Sequence, residues 1–470
     1  MRKIVCIILT LLILVSGLVF LQFGYATTYV NAPITTNTIW TRTNSPYTLT
    51  GNVQVSSGAT LTIEAGVTVN FGSYQIQVDG ALVAEGTSDN RIVFSSSSSG
   101  GKVAFTSSAT TGCIIDNAII GSVSIVISGS SPTISNTYFT IGTVSPIIIN
   151  GGSPTILNNV INFGGSDDDD HGIHINYGSP AITSNYIAGQ GQHYGICSEA
   201  PAVSTITNNK ITNCFSGIVT EGRSSIQENT VMNNANDGIA SNNADSEIQG
   251  NAVANNKCGI SGTGNIQYNT ITNNDVGIWG PKATATITNN NIYENYDATT
   301  GITQNIHLTE PDNITLINNW WGTIDISGIN QTIWDYKNDT IHLGIATFDP
   351  ILDGREPTAP SAPESIVIPT PPPTPRASAS PTPTPTVTSI PTATTTPTPT
   401  QEPTVTPYPH QTINPTWNPT PTEVPVNPSG PDALDLANIA VICLAIITSI
   451  TIIVLLNKFH QKKETPPPPP

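Results

Sequence analysis

Between about Ser131 and Trp321 the chain repeats one short pattern of apolar and polar positions. An Ile is followed three residues on by an Asn, and two further by another apolar residue. The unit reads PTILNNVI at Pro154–Ile161, PAITSNYI at Pro180–Ile187, STITNNKI at Ser204–Ile211 and SSIQENTV at Ser224–Val231. It continues as SEIQGNAV, GNIQYNTI and ATITNNNI, the last ending at Ile292. The shared Asn falls at Asn159, Asn185, Asn209, Asn229, Asn251, Asn269, Asn290 and Asn319, in steps of 18 to 29 residues. A Gly-Ile pair keeps pace at Gly172, Gly195, Gly217, Gly238, Gly259, Gly277 and Gly301.

Two markers locked in phase mean one structural unit stacked many times, and this period is too short for paired-helix repeats. The units are rich in β-branched residues, with Ile at alternating positions between Asn, Gly and Ser turns. The pattern predicts an all-β parallel solenoid whose coils lie about 4.8 Å apart. Ile182, Ile206, Ile226, Ile248, Ile266 and Ile287 should then form an inward apolar column. The Asn column should supply left-handed corner residues, with each side-chain amide bonded to its neighbours above and below.

Upstream, Leu61, Ile63, Val67, Val69, Phe71, Ile76, Val78, Leu82, Ile92 and Phe94 alternate with polar residues, so 37–95 reads as the entry coils. Capping matters because an open solenoid end exposes strand edges and core. Residues 96–143 are less regular but keep strand-like pieces. Downstream, NNWWGT (Asn318–Thr323) opens a non-repeating end with Trp320, Trp321, Trp334 and Phe348. These aromatics read as a plug for the last coil; the rival reading is a sugar-stacking platform.

The repeat, the entry phrase GATLTIEAGVTVNF (Gly58–Phe71) and the closing NNWWGT together resemble a known group. The chain is similar to the right-handed parallel β-helix superfamily of pectin-lyase-like proteins. Within it, the chain resembles prokaryotic surface proteins with parallel β-helix repeats, including those labelled NosD-like. The resemblance covers roughly residues 37–353. It implies a right-handed helix, but not one activity, because the superfamily holds lyases, hydrolases, epimerases, adhesins and scaffolds.

The rest of the chain places this rod. Residues 1–26 carry Arg2 and Lys3, an apolar run and small residues before Ala26, the pattern of a signal peptide. The solenoid with its caps takes 27–356. Residues 357–432 form a Pro/Thr-rich stalk, with 23 prolines between Pro357 and Pro431. Such a segment is disordered, extended at about 3.1 Å per residue and suited to O-glycosylation. Residues 433–457 form a transmembrane helix, with the uncharged run Leu436–Leu456 long enough to span about 30 Å. Lys458, Lys462 and Lys463 put the tail, 458–470, in the cytoplasm and the ectodomain outside. Asn313, Asn330 and Asn338 head N-glycosylation triplets. The expected location is the cell surface, as a single-pass membrane protein.

Charge narrows the function. The formal net charge is −17, with 15 basic and 32 acidic residues, so a nucleic-acid footprint is absent. No Lys or Arg lies between Lys102 and Lys210, which argues against a basic lyase cleft. Cys113, Cys197, Cys214 and Cys258 sit at unlike offsets in the repeat, which is no disulfide framework and makes buried thiols the expectation. The strongest chemistry lies in SDDDDHGIHI (Ser166–Ile175). Asp167, Asp168, Asp169 and Asp170 are hard oxygen donors of the kind Ca²⁺ takes. The plain alternative is a solvated acidic loop. With Ile173 inward, His174 points outward beside Cys197 one coil on; Asp170, His171, His193 and Glu199 could join them on one lateral face. The candidate catalytic residues are Asp170, His174 and His193. The segment loosely resembles the Asp-Pro-His motif of alginate epimerases, but lacks the Pro. Two functions follow. The first is a non-enzymatic surface rod for adhesion, binding or envelope structure, meeting polysaccharide or other surface components and requiring no cofactor. The second is an extracellular carbohydrate-active enzyme, which would need carboxylates at matching offsets on adjacent coils.

Overall fold

A computed structural model describes residues 27–370 except 99, 141, 143, 144 and 166–169. The signal peptide, most of the stalk, the transmembrane segment and the tail lie outside the described residues. Among the described residues, no helix is long and apolar enough to cross a membrane.

Three long parallel sheets make the solenoid, which is right-handed and of about 12 turns. Each coil visits sheet C, then sheet A, then sheet B. One coil, for example, uses Ala181–Thr183, Tyr186–Ala188 and Ile196–Ser198 before returning to sheet C at Ser204–Thr207. Sheets A and B have 13 strands each and sheet C has 12. Register is kept from coil to coil, so like residues stack: Ile182 on Ile206, Ile206 on Ile226, Ile226 on Ile248. The predicted inward column of Ile residues is buried throughout. The entry coils and 96–143 join the same sheets, with Leu61, Val69, Phe94 and Ile125 fully buried.

The C-to-A corner shows why the repeat is so regular there. It is two residues long, and the second is the ladder Asn. Asn185 Oδ1 accepts from the backbone N and Nδ2 of Asn159, while Asn185 Nδ2 donates to Ile156 O and to Asn209 Oδ1. The same set repeats to Asn319. The left-handed backbone expected of these Asn residues belongs instead to the residue before each one. Asn158, Ser184, Asn208, Glu228, Tyr268, Asn289 and Asn318 have φ between 55° and 59°. The ladder position is fully enclosed, so it demands an amide that bonds in both directions, whereas the exposed or half-buried residue before it need only tolerate the turn.

A second ladder runs along the A-to-B corner and was not anticipated from the repeat. Asn234, Asn256, Asn274 and Asn295 are linked Nδ2 to Oδ1 at 2.9–3.0 Å, and Asn295 Nδ2 continues to Asn305 Oδ1. Cys214 begins the column, its backbone N–H donating to Asn234 Oδ1.

The Gly-Ile marker opens sheet B. A Cβ on Gly172, Gly195, Gly238 or Gly259 would lie 2.5–2.6 Å from the carbonyl oxygen of the next glycine in the stack. Only glycine lets these backbones approach so closely. Gly301 does not belong to the stack. It lies in a hairpin turn between Tyr296–Asp297 and Ile302–Thr303, at φ 74°, and Asn305-Ile306 takes the stacking position. This hairpin accounts for the long last step of the Asn series.

At the far end, Trp321 is buried and meets Phe348 edge-on, and Ile314, Leu316, Ile329 and Ile333 are buried in the same core. That is the predicted plug. Trp334 is elsewhere, on the outer face of sheet B. The chain then turns back along sheet A. Glu356 N–H donates to Asn291 Oδ1, and Pro360 O accepts from Thr270 Oγ1 one coil earlier. The first residues of the predicted stalk are therefore seated on the solenoid, and 361–370 has no regular secondary structure.

Candidate functional site

Strand alternation puts every second residue of sheet B on its outer face. Strand register orders that outer column as Ile148, His174, Cys197, Val219, Ala240, Ser261, Trp279, His307 and Trp334. Both chemically distinct features of the surface fall on or beside this line.

The first is at His174 and Cys197, paired across adjacent strands as their offsets predicted. His171, just before the strand Ile173–Tyr177, joins them. One donor atom from each of His171, His174 and Cys197 lies within 4.8 Å of the other two. The His171 ring stacks on Tyr194 at 4.8 Å and meets the His174 ring edge-on at 4.9 Å. His174 Nε2 lies 3.0 Å from Glu199 Oε1. Of the six residues expected on this face, the structure gathers His171, His174, Cys197 and Glu199. His193 stands apart from the donors: it is buried, and its Nε2 contacts Gly165 O at 3.2 Å. Asp170 packs against Gly165 and is not among the clustered donors. Asp170, His171 and Gly172 precede the strand Ile173–Tyr177, so of this segment's described side chains only Ile173, His174 and Ile175 stand on sheet B. Asp167, Asp168 and Asp169, the other candidate Ca²⁺ ligands, lie outside the described residues. Two imidazoles and a thiol suit a borderline or soft cation, whereas Ca²⁺ takes oxygen.

The second feature is an aromatic stack. Trp279 lies on His307 at 4.1 Å and 22°, and His307 lies on Trp334 at 5.6 Å and 6°. Burial holds the His307 imidazole below its ordinary pKa, so it stays neutral at pH 7. His307 covers one face of the Trp279 indole. On the other side the column continues with Ser261 and Ala240, too small to cover a ring. Trp279 is accordingly 39% exposed. The sequence signal was weak: Trp279 and His307 are 28 residues apart across the hairpin, in a coil where the Gly-Ile marker misleads.

Asp237 sits one residue before this column's glycine, opposite Cys258. Burial pushes its carboxyl up, against the pull of hydrogen bonds from Ser261 and Ser216 and of Lys257. Burial also pushes the Cys258 thiol up to about 12. Cys113, Cys197, Cys214 and Cys258 are buried thiols, as predicted. The outer column itself holds no carboxylate from Ile148 to Trp334, so the paired acids of a glycoside hydrolase are not on this line. A surface groove of about 500 Å³ lies elsewhere, lined by Gln227, Gln249, Tyr268, Asn289 and Glu356. It has neither the donor cluster nor the aromatic stack. Of the predicted glycosylation residues, Asn313 and Asn338 are exposed and Asn330 is half-buried.

Residues 133–278 match the family model described as periplasmic copper-binding protein (NosD), and residues 33–115 match that of the pectate-lyase like beta helix domain. No curated protein and no solved structure matches the chain. With the stacked sheets, the Asn ladder and these two matches, the described domain is a NosD-like right-handed parallel β-helix.

Proposed function

We propose that this protein is a surface or envelope β-helix that binds a neutral polysaccharide along the outer face of sheet B, without chemically altering it. The observation that carries the reading is the half-open face of Trp279 beside the low floor of Ser261, Ala240 and Val219. An indole face with a polar surround is what a sugar ring's C–H face packs against. The floor spans three coil steps, about 14 Å, room for a chain running along the sheet. Glu199, Glu221 and Asp237 flank sheet B, so an acidic polymer would be repelled and a neutral one accepted. The missing carboxylate pair disfavours hydrolysis. The matched families fit an exported location; the single-pass anchor and the cytoplasmic tail rest on the sequence alone. Among the described residues, His171, His174 and Cys197 are the grouped donors that would suit the copper named in the family description.

The test is affinity electrophoresis of the full chain through gels holding neutral or acidic polysaccharides. Retardation by a neutral polymer, weakened about fivefold in Trp279→Ala, is expected, since one ring contact contributes about 1 kcal/mol. Equal retardation of Trp279→Ala would remove the reading, as would cleavage of the polymer.

A further inference from the structure

We propose that His171, His174 and Cys197 bind one thiophilic d¹⁰ cation, Zn²⁺ or Cu⁺. The site is independent of polymer binding: Cys197 and Trp279 are four coil steps apart, about 19 Å.

Three observations carry it. The donors already converge. Around a metal with bonds of about 2.0–2.3 Å, neighbouring donors stand roughly 3.3–4 Å apart. Three donors within 4.8 Å of one another need only a small inward shift. The donors are also held in place. His174 and Cys197 are fixed by strand register, and His171 is fixed by the Tyr194 ring and by the Gly172 N–H, which donates to Tyr194 O at 3.0 Å. Finally, His174 has the support a ligating imidazole needs. Glu199 takes its Nε2 at 3.0 Å, which fixes the tautomer and makes Nδ1 the more basic, ligating nitrogen.

Donor chemistry names the cation class. Two imidazoles and one thiolate suit a d¹⁰ ion, three-coordinate for Cu⁺ or four-coordinate for Zn²⁺ with one outside ligand. On binding, the Cys197 S–H bond is exchanged for a sulfur–metal bond and the proton leaves to solvent, so affinity falls as pH falls. The His174 side chain is 12% exposed, which leaves a lateral path for the ion.

The experiment uses the full chain, reduced and stripped with chelator. It is dialysed to equilibrium against Zn²⁺ alone or against Cu⁺ alone, and against Co²⁺ as a spectroscopic substitute. One equivalent of Zn²⁺ or Cu⁺ is expected, and competition between the two names the preferred ion. The Co²⁺ form should show a thiolate-to-metal charge-transfer band in the near ultraviolet. Cys197→Ala should lose both band and metal, while Cys258→Ala, with its thiol in the neighbouring column, should keep them. Glu199→Gln should weaken binding by about 10- to 100-fold. Thermal melting of each variant without metal separates lost ligands from lost fold. Trp279→Ala should bind metal as the parent does, so this proposal and polymer binding fail separately. Binding no greater than in Cys197→Ala, or displacement by equimolar Ca²⁺, would overturn the assignment.

Discussion

At the scale of single residues, the enclosed Asn amides do the most to specify this chain. Each is fully enclosed and meets every hydrogen-bonding demand through its neighbours. In Asn229→Ala, the backbone N and Nδ2 of Asn209 lose their acceptor, and Ile206 O loses its donor. Chemical denaturation should show a loss of about 3 kcal/mol, because buried polar atoms left unmade cost more than the bonds themselves contribute. Asn208→Ala, at an exposed left-handed position, should lose less, about 1 kcal/mol from backbone strain alone. The repeat made the first ladder legible, because its Asn keeps fixed distances to two apolar residues. The second ladder was equally present as Asn-Asn pairs at 233–234, 255–256 and 273–274, five residues further on. It was missed because Cys214 breaks the series early. Asp237 gives a pH signature. Its folded pKa lies above its unfolded one, so the folded chain holds the proton more tightly. Stability from this group is therefore lost as pH rises from the unfolded pKa through the folded one. Asp237→Asn should melt higher relative to the parent at pH 7 than at pH 3; a difference that shrinks with rising pH would reverse the sign of this argument.

At the scale of elements, sheet B is built by close backbone approach. Gly238 is set against Gly259 O and Val253 Cγ1, each 2.6 Å from where a Cβ would stand. Gly238→Ala should cost about 2 kcal/mol or more through overpacking. Gly354→Ala, where a Cβ meets nothing, is the control and should be near neutral. If both melt alike, the stacked glycines are incidental. The coil's order, sheets and inward faces could be read from the sequence because strand alternation repeats under identical neighbours. Connections were harder. The A-to-B loops vary in length, so offset arithmetic placed His193 and Asp170 near the donors, while the structure ties His193 to Gly165 instead. The hairpin at Gly301 copies the Gly-Ile letters without their stacking environment. The Trp residues near the end were grouped by sequence proximity. Register sends Trp321 inward as a plug and Trp334 outward to a stack that also takes Trp279 from an earlier coil.

At the scale of the whole molecule, a solenoid turns sequence distance into a line of adjacent side chains. Residues 148 to 334 become nine neighbours on one face, and the two proposed sites lie along that line: the His and Cys donors toward one end, a half-open indole toward the other. The acidic residues flanking sheet B would favour the uncharged polymer proposed as its partner over an acidic one. A surface or envelope location is supported by the family matches, while anchoring in a membrane remains the expectation drawn from the composition of the terminal segments. The proposed meeting place of protein and partner is the outer face of sheet B. Hydroxyl-radical footprinting of the full chain, with and without the neutral polysaccharide that retards it most, tests this directly, because aromatic side chains report their own exposure. Labelling of Trp279 should fall on binding while Tyr268, in the rival groove, is unchanged. Protection of Tyr268 with Trp279 left open would contradict it and move the binding face to the other side of the coil.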